Sequence, residues 1–163
     1  MRRFFSFPNP VNEVAARTVA TGVVLMSVIA LVTNWSWILI PLTLGFAARV
    51  ASGPRFSPLG QIATRLVAPR LERHATFVAG PPKRFAQAVG LAVSAAAGIV
   101  TLTAGWGAGR WVLLALIFAA SLEAFAGFCL GCWMFAKLMK VGLVPESVCL
   151  DCADISRRLR PTP

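Results

Sequence analysis

Residues 111–136 read WVLLALIFAASLEAFAGFCLGCWMFA. The run is longer than the ~20 residues that cross a hydrocarbon core. It holds one acid, Glu123, and the first of two cysteine pairs, Cys129 and Cys132. Read as a single helix, it is the fourth apolar span of the chain. Working outward, three more runs precede it, at residues 14–33, 35–51 and 85–104. The first reaches full length only if Arg17 snorkels. The second is cut short by Arg49 and carries Pro41, so it reads as a tilted or partial helix. The third is rich in Ala and Gly, which let helices approach closely, and belongs inside a bundle. Short turns at Asn34 and at residues 105–109 close two helical hairpins.

Composition agrees with lipid as the solvent. Of 163 residues, 57% are hydrophobic and 13% charged, against about 25% charged in soluble domains. Mean hydropathy is +0.72. So few charges cannot cover a water-exposed surface, and intrinsic disorder, coiled coil and collagen are excluded. A net charge of +10 suggests nucleic acid only in a soluble chain. No nucleic-acid motif accompanies it, so no nucleic-acid partner is expected.

The charge sits between the spans. Residues 53–84 are basic and proline-rich, with Ser57-Pro58 placed as an N-cap followed by proline at the first helical position. Leu59, Ile62 and Leu66 then share a helical face, which predicts a basic amphipathic helix on the membrane surface, the alternative being a solvated loop. His74, the only histidine, falls in this segment and reads as a solvated loop residue. Lys and Arg number 3 through Arg17, 7 over residues 49–84 and 5 from Lys137 onward, but none at the first turn and 1 at the second. Positive charge stays cytoplasmic, which predicts a multi-pass protein of the cell's inner membrane with both termini inside. Trp35, Trp37, Trp106 and Trp111 fall at the predicted outer interface and Trp133 near the inner one. The expected fold is therefore an all-α polytopic membrane protein in a single domain over residues 1–163. Its four transmembrane helices form two hairpins, with a cytoplasmic interfacial helix and a cysteine-bearing tail at 137–163.

The cysteines form the strongest motif, Cys129-x2-Cys132-x16-Cys149-x2-Cys152. That spacing suits a four-thiolate zinc site. It equally suits two dithiols for redox or sulfur transfer, because C-x-x-C lowers the pKa of one thiol. On the cytoplasmic side the thiols should stay reduced, which disfavours a structural disulfide. As i and i+3 on the fourth helix, Cys129 and Cys132 share a face. Gly142 and Pro145 then turn the chain back toward the second pair.

Glu123 is an ionisable group inside a span and so a functional candidate: a proton carrier in a small transporter, a cation ligand, or a salt-bridged structural acid, for instance with Arg49. On an ideal helix it lies about 240° from Cys129, so the two form no common site unless Gly127 distorts the helix. Gly127 and Gly131 make a G-x-x-x-G, read as a packing groove. Nucleotide-binding glycine motifs, H-E-x-x-H and G-x-S-x-G are absent, and no classical catalytic motif remains.

The stretches GFCLGCWMFAKLMKVGLVPESVCLDCADI and RFSPLGQIATRLVAPRL resemble a bacterial membrane-protein family known as domain of unknown function 4395, over nearly the whole chain. The family carries no settled activity. Its members are often encoded beside, or fused to, thioredoxin-like and sulfurtransferase proteins. The resemblance therefore implies thiol-redox or sulfane-sulfur chemistry, with a thioredoxin-like or rhodanese-like partner, and raises the dithiol reading above the zinc clamp.

Overall fold

The computed structural model describes residues 7, 9–74, 76–149 and 152. The basic-aromatic start of the chain and the arginines at 157, 158 and 160 lie outside the described residues.

Helix α1 spans Glu13–Thr33. The Asn12 side chain starts it by accepting the Val14 N–H at 2.9 Å. Asn34 ends it in the left-handed region at φ 56°, a conformation Asn tolerates. A short 3-10 turn, Ser36–Ile38, leads into α2, Leu39–Ser52. Pro41 lies in the first turn of α2, where its missing N–H costs nothing. Helix α4 covers Gly80–Ala104, opened by Pro81 and Pro82, and α5 covers Trp106–Ala126. The turn between them is Gly105 alone, shorter than the stretch 105–109 expected.

Among the described residues, four helical stretches are long and apolar enough to cross a membrane: Glu13–Thr33, Ser36–Leu71, Gly80–Ala104 and Trp106–Ala126. The second is not one rod. Gly53 at φ 66° breaks it after α2, whose 14 residues rise only about 21 Å. Ser57 then caps α3, Pro58–Ile62, with its hydroxyl accepting the Gly60 N–H at 3.3 Å, as the Ser-Pro pair predicts. The segment differs from a regular amphipathic helix. It passes into a π turn, Ala63–Val67, and then a 3-10 stretch, Ala68–His74. Its buried side is made of small residues, Gly60, Ala63 and Ala68, the two alanines packed against Ala15 and Val19 of α1. Ile62 and Leu66 face outward instead. The side chain of His74 is outside the described part.

The core is shared by α1, α2, α4 and α5, through Val23, Ala30, Leu42, Phe46, Ala97 and Leu113. Helix α4 lies centrally, against α2 and α5, as its small residues predict. Large apolar side chains, among them Ile29, Val32, Leu44, Leu102 and Phe118, face outward. At one end of the bundle Trp35, Trp37 and Trp111 are 64–74% exposed. There the Trp106 indole N–H donates to Asn34 Oδ1 at 2.9 Å, so the two short turns share that end. At the other end a two-residue antiparallel pairing, β1 (Val11–Asn12) with β2 (Phe77–Val78), ties the start of α1 to the approach to α4.

The decisive stretch departs from its sequence reading. Residues 111–136 are not one helix. Helix α5 stops at Ala126, the chain crosses Gly127 at φ 67°, and α6 runs over Leu130–Lys140. At the ending the N–H groups of Gly127 and Phe128 both donate to Leu122 O, five and six residues back, a wider closure than the regular α-helical bond. Arg17 completes it. Its Nε donates to Ala124 O at 3.2 Å and its Nη2 to Phe125 O at 3.0 Å. Arg17 thereby places a cation on the negative end of the α5 dipole.

Candidate functional site: a dithiol over a buried ion pair

The break at Gly127 decides where the first cysteine pair sits. Cys129 is not on the fourth span. It is the N-cap of α6, with extended backbone, and its Sγ accepts the Cys132 N–H at 3.4 Å. Cys132 follows one turn later, and both thiols are free and half-buried. Gly131 lets α6 settle on α4, since a Cβ there would lie 2.6 Å from Ala86 Cα. Of the predicted glycine pair, only Gly131 serves packing; Gly127 ends a helix. Phe135 secures the contact against Phe85, ring centroids 5.7 Å apart.

Below the thiols lies a buried ion pair. Lys83 Nζ, in the first turn of α4, meets Glu123 Oε1 of α5 at 2.5 Å, with side chains 8% and 14% exposed. Each charge sits at the helix end whose dipole disfavours it, a cation at an N-terminus and an anion near a C-terminus. Pairing across the α4–α5 hairpin offsets both. The sequence expectation that Arg49 partners Glu123 is corrected. The Arg49 Nε donates to Gln87 Oε1 at 2.7 Å and its Nη1 to Ser57 Oγ at 2.9 Å. It also stacks over Phe46, 4.6 Å from the ring centroid. Arg49 has no carboxylate partner among the described residues, because Gln87, Ser57 and Phe46 occupy three sides of it.

Lys83 was not singled out by sequence reasoning. The available signal is Pro81-Pro82, which places Lys83 in a first helical turn, where a buried cation needs an acid.

The two thiols are inequivalent. A hydrogen bond from the Cys132 thiol holds Cys129 below the ordinary thiol range, against burial and the Glu123 charge, with help from the Lys83 charge and the Cys132 backbone N–H. Cys132 is pushed above that range, first by this same bond to Cys129 and then by burial. Of the two, Cys129 is thus the more acidic thiol and Cys132 the less acidic one. The break also overturns the ideal-helix separation of Glu123 from Cys129. Both line one cavity of about 230 Å³, enclosed by α1, α2, α4, α5 and α6.

The second pair follows a reversal at Gly142, φ 79°, as the Gly-Pro signal predicts. Cys149 is buried and is joined to Cys152 in a disulfide. This differs from the expectation of reduced thiols throughout the tail. A tight turn, with the Cys152 N–H donating to Cys149 O at 3.0 Å, brings the two side chains together. A four-thiolate zinc site would need that bond reduced. Among the described residues, no three His, Cys, Asp or Glu side chains group so as to hold a metal ion.

A family model described as "Domain of unknown function (DUF4395)" matches residues 11–140, which takes in α1 through α6 and the first cysteine pair. No curated protein and no solved structure matches the chain.

Proposed function

The chain belongs to the domain of unknown function 4395 family, and from that premise we propose that it is an integral membrane component of thiol-redox or sulfur metabolism. Four crossings, with both termini and all four cysteines on the cytoplasmic side, fit the Lys and Arg distribution and the exposed tryptophans at the opposite end of the bundle.

One observation carries the reading. Cys129 caps a helix N-terminus with Cys132 one turn on, an arrangement that stabilises a thiolate on the first sulfur and keeps a thiol on the second. In thiol–disulfide exchange the Cys129 thiolate attacks one sulfur of a partner's disulfide, expelling the other as thiolate. Cys132 then loses its proton and attacks Cys129 Sγ. An intramolecular disulfide forms and the partner leaves with both sulfurs reduced. With a persulfide as target, the same attack moves one sulfane sulfur onto Cys129. The partner class is a soluble thioredoxin-like or rhodanese-like protein. Disulfides in a reducing compartment are usually transient and catalytic, and Cys149–Cys152 fits such a second redox pair.

Trapping tests this. Cys132→Ala should accumulate a mixed disulfide at Cys129 with a thioredoxin-like protein disulfide, and Cys129→Ser should not. Purified protein holding one zinc per chain, with all four sulfurs blocked to alkylation until chelation, would overturn the exchange reading in favour of a structural clamp. Labelling of Cys129 in intact cells by a membrane-impermeant maleimide would reverse the orientation.

A further inference from the structure

The cavity beside the dithiol is not used by exchange with a soluble protein. Its walls are apolar or glycine except at Gln87, Glu123 and Cys129. The three polar positions differ in what remains free. Glu123 is held by Lys83. Gln87 gives its oxygen to Arg49, so the group it can still offer is its amide N–H pair, a donor for a carbonyl oxygen. Cys129 brings the thiolate. At about 230 Å³ the space is below the 300–1,000 Å³ of drug-sized sites and suits a single substituted ring. The cavity sits among helices apolar enough to cross a membrane, so its natural supply is a molecule dissolved in lipid.

We propose that this cavity takes the head ring of a membrane quinone, which accepts the electrons of Cys129 and Cys132. The proposal rests on the dithiol reading above and names its electron sink. The Cys132 S–H bond breaks and one S–S bond forms between Cys132 and the Cys129 thiolate; the two electrons released pass to the quinone with the Cys132 proton and one proton from water, so the quinone gains two O–H bonds and leaves as hydroquinone. A quinone meets each demand of the site: apolar body, carbonyl acceptor toward Gln87, and a two-electron, two-proton change that matches a dithiol. The exchange written above then runs in reverse, a soluble dithiol partner reducing the Cys129–Cys132 disulfide and leaving as a disulfide, so electrons flow from that partner through Cys129 to the quinone pool.

The test uses the full chain in lipid nanodiscs, reduced, freed of reductant and kept anaerobic. The probe is a fully substituted short-chain benzoquinone, whose ring has no open position for thiol addition. One quinone should be reduced per chain, with loss of the two thiols at Cys129 and Cys132. Ala120→Leu, which fills the cavity from α5, should slow this at least tenfold while leaving exchange with a small aromatic disulfide unchanged. Val93→Phe fills it from α4 and should do the same, so one misfolded variant does not decide the matter. Wild-type protein that exchanges with the disulfide but leaves the quinone oxidised overturns the quinone site and leaves the dithiol reading standing. Equal quinone reduction by both filled variants also overturns it, since the cavity is then not the place of reaction. Failure of exchange and quinone reduction alike overturns both.

Discussion

Removing one partner of the Lys83–Glu123 pair should destabilise the bundle far more than removing both. Lys83→Met leaves the Glu123 carboxylate without its cation, in a site where the two side chains are 8% and 14% exposed. An uncompensated buried charge of this kind costs about 3–5 kcal/mol. Glu123→Leu strands the ammonium and should cost the same. At about 2–4 °C per kcal/mol for a chain of this size, each single variant should melt roughly 6–20 °C below wild type. The double variant Lys83→Met/Glu123→Leu removes both charges and also both unfavourable dipole contacts, each about 0.3–1 kcal/mol. It should melt within a few degrees of wild type. The assay is intrinsic tryptophan fluorescence during thermal unfolding in one detergent, run as a double-mutant cycle. If the single variants lose less than about 1 kcal/mol, or the double loses their sum, the buried pair as described is wrong.

Three further outcomes follow from the geometry. Alkylation of Cys129 should rise with pH through a midpoint below the ordinary thiol value, and Cys132→Ala, which removes the first cause of that lowering, should move the midpoint up; a Cys129 rate that tracks a free thiol would refute the assignment. The sign for stability follows, because a depressed folded-state pKa favours folding above the unfolded thiol's value and loses that contribution as pH falls through the lowered one. Arg17→Met leaves Ala124 O and Phe125 O without their donor and should cost about 1–3 kcal/mol, seen as faster amide exchange around Gly127. Gly131→Val drives a side chain into Ala86 and should cost about 1–3 kcal/mol while exposing both Cys129 and Cys132 to alkylation, since α6 then lifts from α4.

Much of this architecture is written locally. Hydropathy runs mark the helices, Asn34 supplies its own left-handed turn, and Ser57-Pro58 caps a helix with its own hydroxyl. Their causes lie within a few residues, so they can be read from the string. The break after Ala126 is different. An apolar run looks the same whether it continues as one helix or restarts as a second one packed on α4, because both bury or expose apolar faces. A lone Gly127 does not choose between groove and cap. The break goes with contacts made across the fold, Arg17 on the carbonyls of Ala124 and Phe125 and Gly131 against Ala86. The dithiol inherits this: its residues were legible, while its place at a helix N-terminus and beside Glu123 goes with those tertiary contacts. The partner of Glu123 was hidden for a related reason. Lys83 lies in a basic segment that hydropathy assigns to a loop, and only the proline pair before it hints that α4 has already begun.

The contact between Arg17 and the end of α5 spans 107 residues of chain. During synthesis α1 is made first, yet its arginine has nothing to hold until Ala124 and Phe125 have emerged. Until then the carbonyls that close α5 lack this donor. The helix end that precedes the sulfur pair is completed only when the first span closes on the fourth.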